Sequence, residues 1–165
     1  MIDLRITILA LSLVGISKAN ADEVSAANLL LKSTYIKTES TNVHFGSSTP
    51  AFTPTTVRCR QHTRCTVRIE VSAQFANIQQ PDVAAAVVRV DNSEGGVLPN
   101  SVLGLDSAST TPGASTVRMF TWMKKGLTTG EHTVTIDFFT STGGAADSPN
   151  RTLTIEVYNQ SDEDE

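Results

Sequence analysis

Two cysteines carry the chemistry that the sequence defines most closely. Cys59 and Cys65 are the only cysteines in the chain, and Arg60-Gln61-His62-Thr63-Arg64 separates them. In an oxidising compartment, two cysteines this close in sequence form a disulfide. A redox centre of the Cys-x-x-Cys type needs a shorter spacing, and a zinc site needs more ligands than the two thiols and His62 supply. We therefore predict a structural disulfide that closes a hairpin.

The residues that most often perform catalysis form no recognisable motif. The chain has no G-x-S-x-G elbow, no H-E-x-x-H pair, no P-loop and no dinucleotide-binding fingerprint. Its histidines, His44, His62 and His132, lie far apart in sequence. His132 has two interpretations, a proton carrier or ligand and a strand-end histidine hydrogen-bonded to a nearby turn, and the second is favoured. A hydrolase built on paired carboxylates depends on separations that a sequence does not contain, so we predict no enzymatic activity and no cofactor.

A group of arginines surrounds the cysteines and is a candidate binding face. Arg58, Arg60, Arg64 and Arg68 occupy positions of the same parity, so strands on either side of the bend would place them on one outer face. Such a face binds anionic surfaces, acidic glycans or lipopolysaccharide phosphates. It also protects a sheet from pairing with another sheet edge, and this second role is favoured.

Two aromatic residues form a second candidate surface. Phe120 and Trp122 have the parity opposite to that of Val117, Met119 and Met123. If the valine and methionine side chains face the core, the aromatic pair forms an outward platform that stacks on sugar rings. If the aromatic pair faces inward, it belongs to the core, which is the favoured interpretation because aromatic side chains bury large areas.

A polar loop is a weak candidate for calcium. The segment Asp91-Asn92-Ser93-Glu94-Gly95-Gly96 offers several oxygen ligands, with Asp91 and Glu94 as the charged ones. It lacks the spacing of an EF-hand, and a polar turn between strands explains the same residues. We favour the turn and expect no metal site.

Alternation of apolar and polar residues defines the elements that must position these side chains. It predicts strands near 55–60 and 64–75, paired as a hairpin, because their apolar residues recur every second position. Further strands are predicted over 83–91, 116–123, 132–139 and 151–158, with weaker patterns over 29–36 and 41–45, and a short helix is the alternative over 23–31. Glycine- and proline-containing breaks separate these runs. The predicted fold class is all-β, a two-sheet antiparallel sandwich of about eight strands in one domain over residues 22–160.

The C-terminal third resembles a known type of module. It reads Gly126-Leu127-Thr128-Thr129-Gly130-Glu131-His132-Thr133-Val134, then Thr140-Ser141-Thr142-Gly143-Gly144, then Arg151-Thr152-Leu153-Thr154-Ile155. This order is similar to the closing hairpin of jelly-roll-like modules in secreted bacterial proteins and in phage tail or fibre proteins. The resemblance implies a jelly-roll-like sandwich with a structural or receptor-binding role, and many such modules form trimers.

The first residues have the pattern of an export signal. Arg5 supplies a positive start, an apolar run follows over 6–16, and Ala19-Asn20-Ala21 matches a signal peptidase site. The predicted organisation is therefore a signal peptide over 1–21, the β-sandwich domain, and an acidic disordered tail over 161–165. We expect the protein to be secreted or periplasmic, without a membrane span.

The composition and net charge of the chain exclude one class of function. Charged residues make up 18% of the chain and the net charge is −4, which excludes a nucleic-acid binder that works through bulk positive charge. We predict a secreted, non-catalytic binding or structural module that acts through sheet faces and loops in protein interaction or assembly, with homo-oligomerisation left open. The alternative is a carbohydrate-binding module that recognises extracellular or cell-surface glycans through Trp122 and the arginine face.

Overall fold

The computed structural model describes residues 29–60, 64–79, 82–107 and 115–160. The predicted signal peptide over 1–21 and acidic tail over 161–165 lie outside the described residues, as does His62. Within the described ranges every regular element is a β-strand, and none is a helix long and apolar enough to cross a membrane. The strands are β1 Leu29–Glu39, β2 Val43–Phe45, β3 Thr49–Pro50, β4 Thr55–Cys59, β5 Cys65–Ala76, β6 Val83–Val90, β7 Val97–Leu98, β8 Val102–Ser107, β9 Ser115–Leu127, β10 Gly130–Thr140, β11 Ala146–Ser148 and β12 Arg151–Gln160.

The strands form two antiparallel sheets. Sheet A contains the long strands β1, β12, β5 and β9 in that order, with β2, β11 and β7 as short additions. Sheet B contains β4, β10, β6 and β8 in that order, with β3 as a short addition beside β10. We number the eight long strands, β1, β4, β5, β6, β8, β9, β10 and β12, from one to eight along the chain. Sheet A then has the strand order 1-8-3-6, and sheet B has the strand order 2-7-4-5. This is the order of a jelly roll with two Greek keys, so the predicted two-sheet, jelly-roll-like sandwich is confirmed.

One hydrophobic core lies between the sheets. The apolar alternation in β5 and β10 faces it, as the sequence predicts. The buried residues of these two strands include Val67, Ile69, Val71, Ala73, Phe75, Val134, Ile136 and Phe138. Phe45 and Phe75 from sheet A and Phe138 from sheet B form a cluster. The ring centroids of each pair in it are 5.2 to 6.1 Å apart. These rings fasten the two sheets at one end of the sandwich.

The disulfide joins the sheets rather than the strands of one hairpin. Cys59 and Cys65 are bonded, with Cα atoms 5.7 Å apart, which confirms the predicted staple. However, β4 pairs with β10 in sheet B, and β5 pairs with β12 and β9 in sheet A. The predicted β4–β5 hairpin is therefore wrong, because the two strands that carry the cysteines belong to different sheets. The helix alternative is also wrong for Leu29–Leu31, which belong to β1.

Candidate binding site

The outer face of sheet B carries a depression of about 350 Å³. Its floor is made by Val87 on β6, Val102 on β8 and Phe139 on β10. Polar side chains form one wall, and two loops complete the rim, at residues 46–48 and at Gly143. The depression therefore draws on three adjacent strands and two chain turns.

Strand register places apolar side chains on this outer face. Inward-facing Val88 and Phe138 belong to the core, so Val87 and Phe139, one position away, point outward. Val87 lies opposite Asp137 on one side and Val102 on the other. Although Val87 is on the outer face, only 3% of it is exposed. Neighbouring side chains therefore cover Val87, whereas Val102 and Phe139 are half-buried and reach the surface of the depression.

The polar wall consists of Arg89, Glu94 and Ser48, which line the depression and belong to a hydrogen-bonded set that Asp137 and Ser101 complete behind them. Arg89 Nη1 donates to Asp137 Oδ2 at 2.8 Å, and its Nε donates to Glu94 Oε1 at 3.0 Å. Ser48 Oγ donates to the same Asp137 oxygen at 2.9 Å, and Ser101 Oγ donates to Glu94 Oε2 at 3.1 Å. The guanidinium is held from two sides, so the set has a fixed geometry and carries one more negative than positive charge.

The turn on one rim is fixed by Asp82. This carboxylate is buried and accepts hydrogen bonds from the Ser141 hydroxyl at 3.1 Å, from the Thr142 amide at 2.6 Å and hydroxyl at 2.7 Å, and from the Gly144 amide at 2.9 Å. The hydrogen bond from the Thr142 hydroxyl, together with the others, lowers the pKa of Asp82 despite its burial. A Cβ on Gly144 would lie 2.1 Å from Asp82 Oδ2, so only glycine fits there.

The loop on the other rim packs against this turn. A Cβ on Gly46 would lie 2.8 Å from the Gly143 carbonyl oxygen, which again requires glycine. The Gly46 carbonyl accepts a hydrogen bond from the Thr140 amide at 2.9 Å. The rim is therefore tied to the end of β10 on both sides of the depression.

The four arginines of the predicted face do not share a surface. Arg58 lies on β4 of sheet B, whereas Arg68 lies on β5 of sheet A, with Arg60 and Arg64 exposed at the bend between the sheets. Arg68 also donates to Glu70 at 2.7 Å and to Glu156 at 2.8 Å. The single positive face is thus wrong, because Arg58 and Arg68 lie on strands of different sheets and Arg68 is paired with acids.

The aromatic pair belongs to the core. Trp122 has 0% of its surface exposed, and Phe120 is half-buried against the same core, with the two ring centroids 6.2 Å apart. Val117 and Met119 instead point outward, each with 65% exposed. The outward aromatic platform is therefore wrong, and the core interpretation of Phe120 and Trp122 holds.

The two calcium candidates lie in different networks. Asp91 binds His132, with Asp91 Oδ2 2.6 Å from His132 Nδ1, and accepts the Thr133 amide at 2.9 Å, whereas Glu94 binds Arg89. Asp91 and Asn92 have φ of 54° and 61°, and form the tight polar turn that the sequence favoured. Among the residues described, no group of three or more histidine, cysteine, aspartate or glutamate side chains could hold a metal ion.

His132 has the environment that the sequence favoured, with an additional partner. Its Nε2 is 2.8 Å from the Thr128 carbonyl in the turn before β10, and its Nδ1 contacts Asp91. Burial alone lowers the pKa of His132, but the hydrogen bonds to Asp91 and Thr128 outweigh it and leave the pKa raised. Because both partners are acceptors, the imidazolium can donate to both of them.

The depression on sheet B was not predicted from the sequence. Arg89 and Asp137 are 48 positions apart, and only the register between β6 and β10 brings them together. One signal was present, since 83–91 is nearly all apolar and was interpreted as a strand covered on both faces. The outward Val87 and the single arginine in that strand were the residues that could have indicated a lined surface.

Comparisons with known proteins add no relative. Neither the protein-family models, the curated proteins nor the solved structures contain a match to this chain. The resemblance to phage and secreted bacterial modules stays a prediction, and the functional argument rests on geometry.

Proposed function

We propose that the protein is an exported, non-catalytic module that assembles through the free edge of β9, with a second copy of the chain as its partner. The observation that carries the proposal is a strand edge over 115–122 with which no described strand pairs, flanked by exposed apolar side chains. The export signal over 1–21 and the disulfide support the location outside the cytosol. The engagement of both Asp137 and Glu94 by one guanidinium supports a binding role over paired-carboxylate hydrolysis.

The β9 edge is open over most of its length. β9 pairs with β5 along one side, whereas on its other side Val97–Leu98 pair with only Met123–Lys124. No other described strand pairs with that side. On alternate residues over 115–122, the backbone N–H and C=O groups that are not directed at β5 therefore face the side without a described strand, and such an edge is a template for another strand.

Apolar side chains lie along the same edge. Val117 and Met119 are each 65% exposed and Leu98 is 49% exposed, all on the outer side of sheet A, and Met123 lies half-buried between them. We call these four residues the β9 strip. β9 contains no proline, one of the residues that protect sheet edges, and over 115–122 its only charged residue is Arg118. An exposed apolar strip beside an open edge is a surface that gains stability when it is covered.

A two-fold arrangement covers both features together. Two β9 strands that pair antiparallel around an axis perpendicular to the sheet extend sheet A from one copy into the next. That operation keeps the outer faces on the same side, so Val117 and Met119 of one copy become cross-strand neighbours of the strip on the other. Closed two-fold dimers are the commonest homo-oligomers. On the opposite edge, over the part of β1 whose side chains are described (33–39), Ile36 is the exposed large apolar residue.

Sedimentation velocity over a range of concentrations of the disulfide-bonded chain tests the proposal. We expect a monomer–dimer equilibrium that Met119→Lys weakens by about tenfold or more, because lysines near the axis repel each other and stay hydrated. The matched control is Ile36→Lys, which places the same charge at a 71% exposed position on the other edge. A chain that stays monomeric, or a dimer weakened equally by both substitutions, would contradict the proposal.

The two surfaces that the sequence suggested for glycan binding, the aromatic platform and the arginine face, are not formed as predicted. Trp122 is in the core and Arg68 is paired with acids, so neither offers a sugar-binding face. The depression on sheet B combines an apolar floor, an aromatic ring and hydrogen-bonding side chains, which is the chemistry that suits a small hydroxylated ligand.

A further inference from the structure

We infer that the depression on the outer face of sheet B binds a neutral saccharide residue. This inference goes beyond the proposed assembly, because the depression lies on sheet B and the β9 strip lies on sheet A. Saccharide binding and assembly can therefore be tested independently of each other.

The size and floor of the depression suit one or two sugar rings. Its volume of about 350 Å³ falls in the range of small-molecule sites. The floor of Val87, Val102 and Phe139 is apolar, and Phe139 presents a half-buried aromatic ring on it. A pyranose ring has an apolar face of C–H groups surrounded by hydroxyls. That face matches the floor, and the hydroxyls match a polar wall beside it.

The polar wall is already organised to receive hydroxyl groups. Arg89 is held between Asp137 and Glu94, and Ser48 and Ser101 hold the same two carboxylates. A carboxylate has about four lone-pair positions, and the hydrogen bonds from Arg89 and Ser48 to Asp137 both fall on Oδ2. Sugar hydroxyls can therefore add to the carboxylate without displacing Arg89. A wall that needs no rearrangement loses little entropy when a ligand binds.

The charge of the wall selects against ionic ligands. Arg89 and Glu94 balance each other in charge on the lining, and Asp137 beside them also binds the guanidinium, so a phosphate, a sulfate or an acidic sugar finds no excess positive charge there. A lysine side chain of a peptide would have to compete with Arg89 for both carboxylates. A neutral polyol meets neither obstacle, and for this reason we favour it over an anionic glycan or a basic peptide.

An array of immobilised neutral oligosaccharides tests the inference. The array carries gluco, galacto, manno and N-acetylhexosamine units, together with sialylated and sulfated glycans and a lysine-rich peptide. We expect binding to one or more neutral glycans and at least tenfold weaker binding by Asp137→Asn, which removes the charge that holds Arg89. We expect the same loss for Phe139→Thr, which gives β10 the residue type found at its outward positions Thr133 and Thr135.

The matched control is Glu156→Gln on sheet A. Glu156 and Asp137 are ion-paired with arginines through side chains that are each 20% exposed, so the control removes an equivalent charge away from the depression. It should keep the binding, as should Met119→Lys, and circular dichroism checks that each variant is folded. The inference is overturned if no neutral glycan binds the folded protein, if folded Asp137→Asn and Phe139→Thr bind as well as the wild type, or if the sialylated and sulfated glycans or the peptide bind in preference.

Discussion

Arg151 shows how one buried side chain fixes several loops. It is 6% exposed, and its Nη1 donates to the Thr41 carbonyl at 2.6 Å and to the Ser148 carbonyl at 3.4 Å, while its Nε donates to the Ala51 carbonyl. Its guanidinium carbon lies 5.5 Å from the centre of the Phe52 ring. Arg151 therefore connects the start of β12 with the chain after β1, the chain after β3 and the end of β11.

Removal of this guanidinium should destabilise the fold. Arg151→Met keeps most of the side-chain volume but leaves buried carbonyls without a donor, at about 1–3 kcal/mol for each group. Because such losses are not additive, we expect a decrease of about 3 kcal/mol in the unfolding free energy, measured by denaturant titration. The control is Arg58→Met, at an exposed position on β4, for which a change within about 0.5 kcal/mol is expected. Equal effects of the two substitutions would show that Arg151 does not hold the loops.

The contact between His132 and Asp91 makes stability depend on pH. Burial raises the pKa of Asp91, but the hydrogen bonds from His132 and Thr133 reverse this and lower it. The pKa of His132 is raised above 6.5, its ordinary value. The contribution of the pair is therefore complete between about pH 4 and 6.5, and it is lost in acid as Asp91 gains a proton and at higher pH as His132 loses one.

A titration of stability should show this loss on the basic side. We expect the stability difference between the wild type and His132→Gln to decrease by on the order of 1 kcal/mol as the pH rises through the folded pKa of His132. The value is modest because half of Asp91 faces water. Urea unfolding at a series of pH values measures the difference, and the Hε1 resonance of His132 reports its pKa. A midpoint at or below 6.5, or a difference that grows with pH, would refute this assignment.

At the scale of elements, the disulfide fastens two strands of opposite sheets. β4 and β5 follow each other in sequence but do not pair with each other. The Cys59–Cys65 bond therefore adds a covalent cross-link between the ends of these strands to the one that the main chain provides. It closes a short loop at one end of the sandwich, while the phenylalanine cluster of Phe45, Phe75 and Phe138 fastens the sheets elsewhere in the core.

Loss of the disulfide should weaken the sandwich without abolishing the fold. For so short a loop the chain-entropy model gives about 2 kcal/mol, and the core between the sheets remains. We expect Cys59→Ser with Cys65→Ser to lower the unfolding free energy by about that amount while the β-sheet circular dichroism persists. The fully reduced wild type provides the comparison. A double variant as stable as the oxidised protein would contradict this role.

The sequence predicts which side chains of a strand face the core better than it predicts which strands pair with each other. Alternation runs through β5 and β10, so their buried apolar residues were identified correctly, although Thr66, which has the parity of the solvent-facing residues, is also buried. β8 was missed because Gly104 and Asp106 interrupt its apolar pattern. The hairpin was wrong because alternation gives the orientation of side chains and not the strand that lies alongside, and a short bend between strands looks the same whether or not it changes sheets.

The candidate site was missed for the same physical reason. Its wall, with the residues behind it, is assembled from β6, β10, the turn after β6 and the loop at Ser48, which are distant in sequence. Only the register of Val87 beside Asp137 and Val102 places these residues together. Local patterns cannot supply a register between strands separated by most of a domain.

At the scale of the molecule, the two sheets offer surfaces with different chemistry. Sheet A ends in the β9 strip and an open ladder, which suit a second copy of the chain. Sheet B carries a depression with an apolar floor and a polar wall, which suits a small hydroxylated ligand. A dimer paired through β9 presents two such depressions, so weak binding at each would be reinforced on a surface with repeated ligands.

Amide hydrogen exchange followed by mass spectrometry tests the central claim of assembly through β9 most directly. The exchange of peptides that span 115–122 is compared at protein concentrations below and above the association midpoint. We predict that these amides exchange more slowly in the associated protein, because they gain hydrogen bonds to the second copy, while peptides from β1 over 29–39 are unchanged. Exchange in β9 that does not depend on concentration, or protection that develops in β1 instead, would contradict the account.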